Sequence, residues 1–198
     1  KLELMKEMGL EPDENRMLIG MVSRLVDHKG LDLVRYIFHD MMGDNVSFVL
    51  LGSGDAEYES FFREMQNRSP GRVAVRIGFI PSLSKKIYAG ADAFLMPSKS
   101  EPCGLAQMVA ARYGTLPIVR ETGGLKDSIH DVGGENGNGF TFKTYNAHDM
   151  LGAIRRAEGL FGNKALWNEA MTDAMESDFS WKKSANDYVN VYRMILND

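Results

Sequence analysis

Glu101 stands in the run from Pro97 to Gln107, between an apolar segment, Ala91 to Met96, that reads as a strand and a segment from Gly104 to Tyr113 that reads as a helix. In a parallel α/β sheet the strands deliver their carboxyl ends into the ligand crevice, so this order puts the carboxylate at a strand tip. The helix that follows offers unpaired backbone N–H groups and about half a unit of positive charge, suited to a phosphate. Gly104 lets that phosphate come close to the chain. A carboxylate that can take sugar hydroxyls, next to amides that can take a diphosphate, points to sugar-nucleotide chemistry. On charge alone, a carboxylate favouring the positive end of a helix explains the same residue.

Other segments could complete such a site. Between Ser23 and Gly30 the chain leaves one strand and enters a helix, and Arg24 and Lys29 project from that loop. Arg24 offers a planar fork for paired phosphate oxygens, and Lys29 a mobile point charge. A solvated basic loop is the plain alternative. Gly52-Ser53-Gly54 reads as a strand-to-helix turn bordering the nucleotide; it lacks the third glycine of a dinucleotide fingerprint. At Gly78-Phe79-Ile80, a ring stacked on a base and a core phenylalanine both satisfy the pattern. Thr122-Gly123-Gly124 could be a tight turn or a source of backbone and hydroxyl contacts to phosphate.

The elements that must position these residues alternate. Strands are predicted over 17–23, 46–51, 72–79, 91–96, 115–119 and 140–142, with helices over 2–8, 31–42, 82–89, 104–113 and 123–130 among them. Asp55 can cap a further helix carrying Phe61, Phe62 and Met65 on one face, and Asn146 caps one running to about Leu160. Residues 131–139 form a polar, glycine-rich surface loop. The pattern predicts an α/β fold with a right-handed, doubly wound parallel sheet. Two helices without an intervening strand, 166–175 and 180–195, close the chain. The last carries Trp181, Ala185, Tyr188, Val189, Tyr192 and Ile195 on one stripe, a pattern that ordinary packing on the sheet would explain.

Composition sets the bounds. With 198 residues and 44% hydrophobic content, the chain can bury one core, which predicts a single domain over 1–198. A net charge of −4 gives no general attraction to nucleic acid or an anionic membrane. Phosphate recognition must then come from local cations, of which Arg24, Lys29, Lys99 and Lys126 are the candidates. A single cysteine and four histidines leave no disulfide framework and no cysteine-histidine zinc spacing, which fits a reducing cytoplasm. No apolar run reaches the roughly 20 residues that span a bilayer. The chain begins at Lys1 inside a helical segment, which suggests a piece of a longer polypeptide.

Glu-Pro-Cys-Gly-Leu, preceded by Tyr-Ala-Gly-Ala-Asp and followed by Glu-Thr-Gly-Gly-Leu-Lys-Asp, resembles the bacterial glycogen synthase and plant starch synthase family. Ser-Arg-Leu and Lys-Gly-Leu-Asp near the first strand, and Asp178-Phe179-Ser180-Trp181 near the end, extend the likeness over almost the whole chain. The resemblance implies the Rossmann-like C-terminal half of a GT-B retaining glycosyltransferase. It would bind ADP-glucose and, with an N-terminal acceptor domain, extend an α-1,4-glucan at its non-reducing end. Arg24, Lys29 and Glu101 would be catalytic, with no metal and no further cofactor. Gly52, Gly78, Phe79, Ile80, Cys103, Gly104, Leu105, Ala106, Thr122 and Gly123 would contact the donor. The helix over 180–198 would dock on the partner domain, leaving part of its stripe exposed here.

Four positions depart from the family's pattern: Ala106 replaces a frequent threonine, His28 a frequent glutamine, Lys85 a frequent histidine and Phe79 an expected tyrosine. Val109 stands where other related transferases carry a second glutamate, an acid that glycogen synthases also lack. Two alternatives stay open: a transferase of UDP- or GDP-sugars, and a nucleotide-binding fragment inactive without its partner domain. A dinucleotide dehydrogenase would need the fingerprint and acidic ribose partner that are missing here.

Overall fold

Strand β1, Met17–Leu25, is buried on both faces: Met17, Ile19 and Met21 enter one apolar layer and Leu18 the other. Such two-sided burial belongs to a parallel sheet covered by helices. The computed structural model describes residues 1–43 and 45–197. After α1 (Leu2–Met8) and β1 come α2 (Leu31–Met41), β2 (Val46–Gly54), α3 (Ala56–Arg68), β3 (Val73–Ile77), α4 (Pro81–Gly90), β4 (Ala93–Met96) and α5 (Ala106–Arg112). They are followed by β5 (Leu116–Arg120), α6 (Gly123–Ser128), β6 (Phe140–Phe142), α7 (Ala147–Phe161), α8 (Lys164–Glu176) and α9 (Trp181–Asn197). The six strands are all parallel, in the order β3-β2-β1-β4-β5-β6.

The larger core layer joins β1 and β2 to α2, α3, α7 and α8 through Phe38, Phe48, Phe62 and Trp167. The second lies under α1, α4 and α5 and contains Leu4, Leu51, Ile87 and Phe94. Strand order reverses between β1 and β4, and the crevice at their carboxyl ends is where this architecture binds ligands. No helix among the described residues is long and apolar enough to cross a membrane.

Four local expectations are corrected. Gly52-Ser53-Gly54 is the end of β2 rather than a turn, with Gly52 paired to Ser23 and Gly54 to Leu25. A Cβ on Gly52 would lie 2.0 Å from the Ser23 carbonyl oxygen, so glycine is what lets the strands run on together. β1 likewise continues through Arg24, which sits in the strand and not in the loop after it. Asp55 occupies the first-cap position of α3 without a side-chain cap bond; the Gly54 N–H donates to Glu59 Oε1 at 3.1 Å instead. Helix α5 starts at Ala106, because Gly104 adopts a left-handed φ of 71° that no first helical turn can contain.

The apolar stripe of α9 does not pack on the sheet. Trp181 is 86% exposed, and Tyr188, Tyr192 and Ile195 are exposed with it. The α7 cap is as expected, Asn146 accepting from the N–H groups of His148 and Asp149.

Candidate active site

Two loops meet at the β1/β4 reversal. The β1–α2 connection turns through Asp27–Lys29 and then Gly30, whose φ is 75°. A Cβ there would lie 2.1 Å from the Pro97 carbonyl oxygen, so only glycine permits this approach to the loop after β4. The Lys99 N–H donates to the His28 carbonyl at 2.9 Å and ties the loops together. As a result, Lys29 Nζ reaches Glu101 Oε2 at 2.6 Å, with the two side chains 18% and 12% exposed. Ser98 Oγ donates to the same carboxylate oxygen at 3.1 Å. Arg24 projects from the end of β1, its guanidinium 3.4 Å from His28 Nε2.

These side chains border a crevice with two adjoining compartments. One, of about 200 Å³, is lined by Arg24, Lys29, Ser98, Glu101 and the backbone around Gly104. The other, of about 260 Å³, lies between Gly52, Gly78, Phe79, Ile80, Ser84 and Tyr88. Val22, Ser23 and Arg24 belong to both walls. One compartment thus carries two cations and a carboxylate. The other is more apolar and holds Phe79, whose ring is 90% exposed and therefore not a core residue.

A network behind the crevice fixes its walls. Arg120 Nε donates to the Ser98 carbonyl at 2.9 Å, and its Nη2 to the Lys99 carbonyl at 2.5 Å, bracing the segment before Glu101. Tyr58 donates its hydroxyl to Asp27 at 2.7 Å, and Tyr145 donates to Asp32. Burial, followed by the carboxylate each hydroxyl faces, raises the pKa of both tyrosines well above the usual phenolic value, so both stay protonated donors. Gly123 and Gly124 support the site from behind: Cβ atoms on them would lie 2.3 Å from the Glu101 carbonyl oxygen and 2.0 Å from that of Cys103. The Gly124 N–H donates to the Glu101 carbonyl at 3.1 Å.

The model of glycosyl transferases group 1 matches residues 6–160. The chain belongs to that family. Glycogen synthase from Geobacillus thermodenitrificans is 48% identical over 198 residues, which are 99% of this chain and 41% of the relative. Glycogen synthase from Clostridium acetobutylicum is 50% identical over 200 residues, covering 99% of this chain and 42% of the relative. The chain thus spans about two fifths of the length of these curated relatives. Among solved structures, the catalytic domain of starch synthase IV from Arabidopsis thaliana, bound to ADP and acarbose, superposes with a TM-score of 0.86 at 35% identity. That likeness covers 99% of this chain and 42% of the other. TarM shares the fold at a TM-score of 0.70 and 19% identity, over 90% of this chain and 35% of that one.

For this glycosyltransferase chain, the crevice gathers most of the residues singled out from sequence. Arg24, Lys29, Glu101, Gly104, Leu105 and Ala106 share one compartment, and Arg24 borders Gly52, Gly78, Phe79 and Ile80 in the other. Thr122 and Gly123 line neither; Gly123 backs Glu101. Cys103 faces a separate hollow toward α8 and α9. Lys99 and Lys126 do not line the crevice, and Lys99 lies over the Tyr145 ring at 5.7 Å. Sequence reasoning missed Ser98, although it precedes Glu101 by three positions in the same loop. It also missed Ser84 and Tyr88, whose spacing from Ile80 along one face of α4 was a usable signal. Nothing in the pattern marked Arg120, Tyr58 or Tyr145, which act through tertiary contacts.

Proposed function

We propose that this chain is the donor-binding part of a glycogen synthase that transfers glucose from ADP-glucose, with retention, to the non-reducing end of an α-1,4-glucan. The observation that carries the reading is the placement of Arg24, Lys29 and Glu101 around one compartment that opens into the Phe79 pocket. The adenine would lie against Phe79 and Ile80, between Gly52 and Gly78. The diphosphate would take Arg24, Lys29 and the amides near Gly104. Glu101 would exchange its ion pair with Lys29 for the glucose hydroxyls. The likeness to glycogen synthases at 48% and 50% identity, and to a starch synthase solved with ADP, supports this choice of nucleotide and sugar.

In this reading the reaction passes through an oxocarbenium-like transition state, and the departing diphosphate is stabilised by fixed cations and amides without a metal. Preorganised charge of this kind is the largest catalytic contribution in many enzymes. A cytoplasmic setting, and an acceptor domain supplied by the remaining length of the full protein, complete the proposal; alone, the chain would bind nucleotide and transfer nothing. Calorimetric titration of the chain with ADP, UDP and GDP tests it. Preference for ADP is expected, whereas preference for UDP or GDP would move the chain to another donor class, and glucan extension by the chain alone would overturn the need for a partner domain.

A further inference from the structure

Gln107 is completely buried in the first turn of α5, yet it is not used as a core residue would be. Its Nε2 donates to the Cys103 carbonyl at 3.2 Å and to the Gly104 carbonyl at 3.1 Å. The same nitrogen donates to Ser128 Oγ at 3.1 Å, its two protons being shared among three acceptors, and that hydroxyl donates to the Gly124 carbonyl at 2.6 Å. Its Oε1, by contrast, is buried without a hydrogen-bond partner among the described residues. Turning the amide over would set oxygen against two carbonyl oxygens, so the donors must face Cys103 and Gly104. The side chain is held for its N–H bonds to these three acceptors, at the expense of its oxygen.

Those bonds have a geometric consequence. In a trans peptide the C=O and N–H point in opposite directions. With the Cys103 and Gly104 carbonyls drawn inward to Gln107, the N–H groups of Gly104 and Leu105 are turned the other way, to the side on which both residues line the crevice. Neither N–H donates to a protein acceptor among the described residues. Gly104 makes the arrangement possible, since a Cβ there would lie 2.6 Å from Gln107 Oε1. Helix α5 has only seven residues, so the orientation of these individual amides matters more than any helix dipole.

We infer that Gln107, anchored through Ser128, is a positioning residue that aims the Gly104 and Leu105 amides at the donor diphosphate. This rests on the proposed function and adds to it a residue that touches no substrate. The test uses the whole chain and titrates ADP and adenosine into wild type, Gln107→Met and Ser128→Ala, with the backbone amides followed by NMR. Gln107→Met is expected to lose about tenfold in ADP affinity, in line with loss of hydrogen bonds to a charged group. Adenosine affinity should stay within about twofold, because the base pocket is built by other residues. The ADP-induced shifts of the Gly104 and Leu105 amides should disappear with it. Unchanged ADP affinity, or equal losses for ADP and adenosine, would overturn the inference while leaving the ADP reading in place. Failure of wild type to bind ADP overturns both. If Gln107→Met does not fold, Ser128→Ala decides: a selective loss of ADP affinity supports the inference, and none refutes it.

Discussion

Lys29 Nζ lies 2.6 Å from Glu101 Oε2, joining residues 72 positions apart and closing the crevice's two walls on one another. Both side chains are largely buried, so each charge depends on the other. In the proposed reaction that contact must be exchanged, Lys29 turning to phosphate and Glu101 to sugar. In that proposal the pair holds the two loops together before the donor arrives.

Removing either partner alone leaves a mostly buried charge without its counterpart. Lys29→Met and Glu101→Gln are each expected to destabilise the chain by about 1–3 kcal/mol in urea unfolding. The double variant should lose clearly less than the sum, with a coupling of about 1 kcal/mol or more. Additive losses would mean that the two side chains do not sense one another in solution.

Phe79→Ala separates binding from folding. The ring is 90% exposed, so its removal should shift the unfolding midpoint very little. Stacking on a base is worth about 1–3 kcal/mol, which predicts at least a roughly fivefold loss of ADP affinity by calorimetry. Full affinity in this variant would place the base elsewhere.

The alternation of apolar runs with helical spacing was enough to predict the parallel sheet, since the strands are buried on both sides and the helices that cover them on one; α9, which shares the helical spacing, leaves its stripe exposed. Arg24, Lys29 and Glu101 could be read as a site because the topology sends every strand end to the same edge. Backbone detail was harder. Gly52 and Gly54 look like a turn in sequence but permit strand pairing, a distinction that depends on the Ser23 and Leu25 carbonyls beside them. The same holds for α5: the sequence places its start at Gly104, whereas the left-handed backbone of that glycine moves the start to Ala106. Arg120 and Tyr145 were illegible because their partners, in the loop after β4 and at the start of α2, are distant in sequence.

Asp149 gives the fold a specific acid sensitivity. It accepts from the Thr144 N–H and hydroxyl, both at 2.8 Å, and so shapes the loop that presents Tyr145 to Asp32. The backbone bond from Thr144, more than any other cause, holds its pKa below the ordinary 3.8. A carboxylate depressed in the folded state contributes stability above the unfolded value and loses it as pH falls through the folded one. Asp149→Ala should therefore cost about 0.5–1 kcal/mol at neutral pH, for a half-buried carboxylate at the surface. The gap to wild type should narrow as pH drops below 3.8, as urea unfolding over a pH series can establish.

Gly124→Ala and Gly152→Ala make the same chemical change with opposite expected signs. At Gly152, within α7, a new Cβ meets nothing within 4 Å, so alanine should stabilise by about 0.5–1 kcal/mol through helix propensity and reduced freedom of the unfolded chain. At Gly124 the Cβ would lie 2.0 Å from the Cys103 carbonyl oxygen, a backbone atom that cannot swing aside as a flexible side chain would. Relief requires α6 to part from the segment between Glu101 and Cys103, which should cost about 1–3 kcal/mol. The same displacement breaks the bond from the Gly124 N–H to the Glu101 carbonyl and moves the carboxylate away from Lys29. Thermal unfolding of the two variants in parallel, with ADP titration of each, separates the effects: Gly152→Ala should bind normally, and Gly124→Ala should lose both stability and affinity. Equal stability in the two variants would mean that α6 does not press on the Glu101 loop in solution.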